Sequence, residues 1–125
     1  MLYKAVLENL VSKFNERLPS KPEFKEFLNA YHGRNIIIKI KKDAVYVIHI
    51  SKEKGLGLAI TDSATPKEDM YVEMDKAIFD NMINQRKINL QHILLGKIKW
   101  KNINLTEISK IKRIFGMHSF KDFTK

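Results

Sequence analysis

The sequence contains no cysteine and few of the residues that interrupt regular structure. Its 125 residues include 3 Pro and 5 Gly. Without cysteine, the chain can form no disulfide, thiolate metal site or cysteine nucleophile. With 44% hydrophobic and 30% charged residues, its composition is that of a chain that buries a core, which argues against long disorder. We therefore expect one domain over residues 1–125.

Long apolar runs are also absent. No uncharged apolar run reaches the roughly 18 residues that a helix needs to cross a bilayer. Glu8 interrupts the stretch that would form the apolar part of a signal peptide. We expect a cytoplasmic protein that is neither exported nor embedded in a membrane.

Acidic residues are outnumbered by basic ones. The 14 Asp and Glu residues stand against 23 Lys and Arg, which gives a net charge of +9. Such a charge favours contact with nucleic acid or with an anionic membrane surface. Nearly all the basic residues are Lys, however, whereas base reading and bidentate phosphate recognition favour the guanidinium group of Arg. The simpler interpretation is a lysine-rich solvated surface with no specific nucleic-acid partner.

Hydrophobic periodicity predicts an α+β fold. Spacings of three and four indicate helices, and a period of two indicates strands. In chain order the pattern predicts two helices (2–18 and 20–33), four strands (35–41, 44–50, 56–61 and 70–74), two helices (75–87 and 89–96), a strand (97–102) and a last helix (105–116). Pro19 and Gly33 end the first two helices, and Ser20 and Asp75 are the expected caps of the helices that follow them. We expect the first two strands to pair antiparallel.

Glycine occurs inside the third predicted strand. Gly57 there indicates either an edge-strand bulge, which is the simpler interpretation, or the close approach of another backbone or a ligand.

The sequence offers no catalytic constellation. No two of the four histidines have the i, i+4 spacing of a helical metal-ligand pair, and His49 in an apolar strand is typical of a satisfied core histidine. Glu73 and Asp75 are typical of solvated charges rather than of an acid/base pair. Gly55 and Gly57 lack the third glycine and the capped helix of a phosphate-binding loop. We expect no enzyme activity, metal or cofactor.

Large apolar side chains are abundant in the second half of the chain. They are Met70, Met74, Phe79, Met82, Trp100, Phe115, Met117, Phe120 and Phe123. Ordinary core packing explains any one of them. Together they could line a cavity for an apolar ligand, whose burial yields about 25 cal/mol per Å² of apolar surface removed from water.

Four sequence segments carry a family resemblance. They are Phe27-Leu-Asn-Ala-Tyr-His-Gly-Arg-Asn-Ile-Ile-Ile-Lys-Ile, Asp69-Met-Tyr-Val-Glu-Met, Ala77-Ile-Phe-Asp-Asn-Met-Ile and Leu94-Leu-Gly-Lys-Ile-Lys-Trp. In this order and spacing, over about residues 27–116, the chain resembles the sterol carrier protein type (SCP-2-like) of lipid-binding domain. One departure is Asn102, where the family commonly has glycine; asparagine also tolerates a positive φ.

The resemblance implies a fold and a function. The fold is a five-stranded, mainly antiparallel sheet with helices packed on one side. The function is non-catalytic binding and carriage of a fatty-acyl or sterol-like ligand in an internal tunnel. The positions that match the tunnel walls are Phe79, Met82, Ile83, Leu94, Leu95, Ile98 and Trp100. We add Phe115, and Met117 and Phe120 from the variable tail 117–125, which could cap or occupy the tunnel.

Two alternatives remain open. The first is a basic module that binds single-stranded nucleic acid or an anionic surface through Lys97, Lys99, Lys101, Lys110, Lys112 and Arg113, with Trp100 stacking on a base. Because Trp100 alternates with the lysines, the period of two places it on the inward face, which favours lipid binding. The lysines 97, 99 and 101 would then lie near a membrane surface or an anionic ligand head group. The second alternative is an accessory domain that serves a partner enzyme.

Overall fold

The computed structural model describes residues 3–61, 69–85 and 95–114. These residues form four α-helices and five strands. The elements are α1 (Lys4–Arg17), α2 (Pro22–Tyr31), β1 (Asn35–Ile40), β2 (Val45–Ser51), β3 (Gly55–Thr61), β4 (Met70–Met74), α3 (Lys76–Gln85), β5 (Lys99–Lys101) and α4 (Leu105–Ile114). The helix predicted over 89–96 lies outside the described residues, except that Leu95 and Gly96 form a turn in which Gly96 has φ +72°.

The two N-terminal helices are separated where the sequence predicts. Helix α1 ends at Arg17, and a 3-10 turn that contains Pro19 follows it. The prediction that Ser20 caps α2 is wrong: its hydroxyl donates back to the Arg17 carbonyl at 3.1 Å. Helix α2 begins instead with Pro22 in its first turn, where the missing N–H costs no hydrogen bond.

The five strands form one sheet in the order β3-β2-β1-β4-β5. Strands β1 and β2 pair antiparallel as predicted, and so do β2 with β3 and β4 with β5. Strands β1 and β4 pair in parallel, which makes the sheet mixed. The expected α+β fold with a five-stranded, mainly antiparallel sheet is confirmed.

The helices cover one face of the sheet, and aromatic contacts join them there. Phe14 of α1 stacks on Phe24 of α2 with 4.5 Å between ring centroids. Tyr3, just before α1, meets Phe79 of α3 edge-on at 4.7 Å. The opposite face of the sheet carries a smaller apolar cluster of Ile37, Val45, Val47 and Tyr71.

The bulge favoured at Gly57 is absent, and the close approach given as its alternative occurs two residues earlier, at Gly55. The pairing of β2 with β3 runs without a bulge, and a Cβ on Gly57 would meet no atom within 4 Å. Gly55 has φ +86°, and a Cβ there would collide with Oδ1 of Asn15. Asn15 binds the backbone of Leu56, accepting from its N–H at 2.9 Å and donating to its carbonyl at 3.0 Å. These two hydrogen bonds join helix α1 to the edge strand β3.

Candidate apolar cavity

One row of side chains across the sheet is less buried than its position predicts. On the helix-facing side of β1, Ile36 and Ile40 are 3% and 2% exposed. Ile38 lies between them on the central strand, yet it is only half-buried. Its neighbours in register, Val72 on β4 and Trp100 on β5, are half-buried as well. These three side chains pack against the core and also line a cavity.

The cavity has a volume of about 90 Å³. The described side chains that line it are all apolar, and they come from α1, α3 and α4 and from β1, β2, β4 and β5 or the segments beside them. They are Leu7, Leu10, Ile36, Ile38, Ile48, Val72, Met74, Phe79, Met82, Ile83, Ile98, Trp100, Ile103, Ile108 and Ile111. Since this lining offers no polar group, the cavity suits hydrocarbon rather than a charged or hydrogen-bonding molecule.

Helix α4 closes one side of the cavity without being tightly packed. Ile108 and Ile111, the α4 side chains that line the cavity, are both only half-buried. The helix begins with a reciprocal capping box: the Glu107 N–H donates to Asn104 Oδ1 at 2.8 Å, and the Asn104 N–H donates to Glu107 Oε1 at 3.0 Å. The start of this helix at residue 105 was predicted, but Asn104 as its cap was not.

A charged contact joins α4 to the start of β1. Arg34 Nη1 lies 3.6 Å from Glu107 Oε2, and Arg34 Nη2 donates to the Asn102 carbonyl at 3.4 Å. Asn102 has φ 58°, as expected for the residue that replaces the family's glycine. Burial raises the pKa of the Tyr31 hydroxyl, and the neighbouring Glu107 carboxylate raises it further. The fixed charges of this region therefore lie at the N-terminus of α4 rather than in the cavity.

The lysines of β5 lie on the face opposite the cavity. Lys99 and Lys101 are exposed and are paired in register with Glu73 and Tyr71 of β4. The Tyr71 hydroxyl donates to Glu73 Oε1 at 2.7 Å. This hydrogen bond lowers the pKa of Glu73, and the nearby lysines, including Lys39 and Lys99, lower it too. Glu73 is thus a half-buried, hydrogen-bonded carboxylate and not the freely solvated charge that the sequence predicts.

The structure brings half of the predicted site residues together. Phe79, Met82 and Ile83 of α3 line the cavity, and so do Ile98 and Trp100 at β5. Trp100 lies on the inward face, as the period of two predicts, and so on the face opposite the exposed Lys99 and Lys101. Leu95 was expected in the wall but is 69% exposed, because it lies in the turn before β5. Leu94, Phe115, Met117 and Phe120 lie outside the described residues.

Sequence reasoning missed lining residues on α1, on the strands and at α4. Leu7 and Leu10 of α1 lie before residue 27, where the family resemblance begins. Ile38 and Val72 are ordinary strand residues, and whether they line a cavity depends on how the helices pack on the sheet. The 3.6-residue period marks the apolar face of α1, but it gives no sign that a cavity lies beneath that face.

The described histidines and carboxylates include one wrong prediction and no group that could hold a metal ion. His49 is exposed, with Nδ1 2.8 Å from Asn35 Oδ1, so the prediction of a core histidine is wrong. Within residues 3–61, 69–85 and 95–114, no group of three His, Asp or Glu side chains could hold a metal ion. Among the same residues, no helix has the length and apolar character that crossing a membrane requires.

The chain resembles solved structures, whereas comparisons of its sequence find no match. No family model and no curated protein matches the chain. A conserved hypothetical protein of Thermus thermophilus, described as possibly a sterol carrier protein, is 12% identical over 91% of this chain and 81% of its own, with a TM-score of 0.60. Sterol carrier protein 2 from Yarrowia lipolytica, in its apo form, is 14% identical over 88% of this chain and 87% of its own, with a TM-score of 0.58.

A third structure agrees with these two. UbiJ-SCP2, a ubiquinone synthesis protein, is 13% identical over 91% of this chain and 88% of its own, with a TM-score of 0.56. The chain has the sterol carrier protein 2 fold. The predicted resemblance to this domain is therefore confirmed at the level of the fold, and it extends beyond the span of residues 27–116 that the sequence segments indicate. The sterol carrier protein 2 fold of this chain places the apolar cavity between the sheet and α1, α3 and α4.

Proposed function

We propose that this protein binds and carries a hydrophobic ligand, without catalysis, in the cavity between the sheet and the helices. The observation that carries the proposal is a cavity whose described lining consists entirely of apolar side chains. The sterol carrier protein 2 fold supports it. Each methylene group of a ligand that enters gains about 0.8 kcal/mol from leaving water.

The size of the cavity favours one ligand class. Its volume of about 90 Å³ is small, since pockets that hold drug-sized ligands span about 300–1,000 Å³. A long ligand must therefore displace lining side chains as it enters. Met74 and Met82 can adapt because methionine is unbranched and flexible, and the half-buried Ile108 and Ile111 can move with α4.

A fatty-acyl chain meets this requirement better than a sterol. An acyl chain can enter progressively and change its torsions as the lining gives way, whereas a rigid ring system needs the whole space at once. Among the described residues, the lining offers no partner for a carboxylate, and so we place the head group outside the cavity. We propose a single fatty-acyl chain as the ligand, bound by its hydrocarbon part.

Two matched variants test the proposal. Val72→Phe puts a larger side chain into the cavity, whereas Val47→Phe makes the same change on the opposite face of the sheet, where Val47 is also half-buried. Titration with a fluorescent fatty acid should give saturable binding to the wild type and to Val47→Phe. Val72→Phe should bind at least about tenfold more weakly, equivalent to about 1.4 kcal/mol.

Three results would contradict the proposal. One is a folded wild type that shows no saturable binding, and another is equal affinity in the Val72→Phe and Val47→Phe variants. The third concerns ligand class: a fluorescent sterol that binds more tightly than the fatty acid would overturn the assignment to acyl chains. Circular dichroism and thermal unfolding of both variants establish that the comparison is between folded proteins.

A further inference from the structure

The edge of the sheet at β5 combines exposed positive charge with an exposed apolar side chain. Lys97, Lys99 and Lys101 are all exposed. Leu95, two residues before the first of them, is 69% exposed. Strand β5 is the last strand in the order β3-β2-β1-β4-β5, so these residues lie at the border of the sheet and not in its middle.

The same segment also forms part of the cavity wall. Ile98 and Trp100 line the cavity and alternate with the three exposed lysines. Along β5 and the two residues before it, each lysine is therefore the chain neighbour of a lining residue. A partner that contacts these lysines therefore contacts residues that are adjacent in sequence to the lining of the proposed ligand site.

The charged side chains around this edge give it a net positive charge. Lys39 and Lys41, exposed at the end of β1 on the other side of β4, add to the three lysines. The acidic groups among the described residues beside them are Glu73, in register with Lys99 and Lys39, Asp75, whose Oδ1 lies 3.8 Å from Lys41 Nζ, and Asp69, two residues before Tyr71. Within the described part of the chain, five lysines thus stand against three carboxylates, which leaves an excess of positive charge at this edge.

We propose that the β5 edge, defined as Leu95, Lys97, Lys99 and Lys101, docks this protein on an anionic lipid bilayer. This inference rests on the proposed function, because a carrier of acyl chains has to exchange them with a membrane. Lysines attract the diffuse charge of anionic lipid head groups. Leu95 adds an apolar group that enters the interface and supplements this electrostatic attraction.

The side chains between the lysines favour a bilayer over nucleic acid. Proteins that bind single-stranded nucleic acid without sequence preference use exposed aromatic rings among their basic residues. Trp100 faces the cavity, and Tyr71, which lies beside Lys101 with its ring centroid 5.9 Å from Nζ, is only 7% exposed. The edge thus offers charge and a leucine but no platform on which a base could stack.

Vesicle flotation tests the docking edge. The probes are vesicles of phosphatidylcholine alone and vesicles of phosphatidylcholine mixed with phosphatidylglycerol. The variants are the triple substitution Lys97→Gln, Lys99→Gln and Lys101→Gln, and a charge-matched control, Lys13→Gln, Lys21→Gln and Lys25→Gln, at exposed positions of the helical side. Leu95→Ser is measured separately.

The wild type should bind the anionic vesicles and not the neutral ones. The β5-edge triple variant should bind them about a hundredfold more weakly, since each lysine near the surface contributes about fivefold. The control triple variant should lose far less, and Leu95→Ser should bind measurably more weakly than the wild type. Equal loss in both triple variants, or no binding of the wild type to anionic vesicles, would overturn the proposal.

Two further measurements distinguish membrane docking from the proposed ligand binding and from nucleic-acid binding. Binding of a fluorescent fatty acid in solution should be unchanged in the β5-edge triple variant. If the wild type binds vesicles but does not bind the fatty acid, the result counts against the proposed function and not against the docking edge. Retention of a single-stranded oligonucleotide that is stronger than vesicle binding, and is lost in the same triple variant, would assign the edge to nucleic acid and refute the membrane proposal.

Discussion

Tyr46 is fully buried and joins three parts of the chain through one hydroxyl group. The hydroxyl accepts a hydrogen bond from the Tyr3 N–H at 3.0 Å and donates to the carboxylate of Asp43 in the turn between β1 and β2. Burial raises the pKa of Tyr46 from 10.0 to about 12, and the hydrogen bond to Asp43 raises it as well. The neutral hydroxyl is therefore the form that the folded state requires.

The stability of the protein should consequently fall at alkaline pH. A tyrosine with a raised pKa contributes fully below the unfolded-state value of 10.0, and its contribution is lost as the pH rises towards about 12. Tyr46→Phe should be less stable than the wild type at neutral pH, by about 1–3 kcal/mol, because the Tyr3 N–H loses its partner. Between pH 10 and pH 12, however, the variant should lose less stability than the wild type.

Urea unfolding at a series of pH values checks this. The residual alkaline loss in Tyr46→Phe is assigned to Tyr3 and Tyr71, whose pKa values burial also raises to about 12. An unchanged difference between pH 10 and pH 12 would contradict the assignment of the raised pKa to Tyr46.

Single residues also show where sequence reasoning ends. It predicted at Gly57 either a bulge or the close approach of another group, but the glycine that another part of the chain approaches is Gly55. The approaching residue, Asn15, lies far away along the chain and binds Leu56. Local pattern can flag a glycine in a strand, but it carries no information on which distant side chain reaches it. His49 gave the same error, since its strand is apolar while its own side chain faces outward.

At the scale of elements, α4 is attached to the fold partly through polar contacts. Its cavity-facing residues Ile108 and Ile111 are half-buried, whereas Glu107 makes both the capping box and the ion pair with Arg34. Loss of the Glu107 carboxylate removes both contacts at once. The N-terminus of α4 should then open more often while the rest of the fold persists.

Glu107→Ala should therefore speed amide hydrogen exchange in α4 by about fivefold, which corresponds to about 1 kcal/mol for the lost cap. Thr106→Ala, at an exposed position in the same turn, is the matched control and should leave the exchange rates near those of the wild type. Amides in β1 and β2 should be unaffected in both variants. Equal rates in Glu107→Ala and Thr106→Ala would refute the role assigned to the Glu107 contacts.

Elements were the scale at which the sequence was most informative. Each helix and strand in the described residues lies where a period of 3.6 or of two predicts it, and β4 has the predicted bounds. Periodicity succeeds because it is local and the apolar faces are well marked. The parallel pairing of β1 with β4 was not predicted, since it joins strands that are distant in sequence and leaves no local signature.

At the scale of the whole molecule, the cavity could be predicted only in part. The resemblance located the α3 and β5 walls through Phe79 and Trp100, but not the α1 wall or the floor at Ile38 and Val72. A void is a collective property of several elements: it depends on the distances between helices and sheet, and no single segment encodes it. The half-burial of Ile38 on a central strand is its clearest structural sign.

The most direct test of the central claim is to locate a bound acyl chain by methyl NMR. With a saturated fatty acid bound to isotope-labelled protein, intermolecular NOEs should connect the acyl methylenes to the methyl groups of Ile38, Val72 and Ile111, all in the cavity lining. Val47, on the opposite face of the sheet, should show none. NOEs confined to Val47 and other surface methyls, with none to Ile38 or Val72, would contradict an internal binding site.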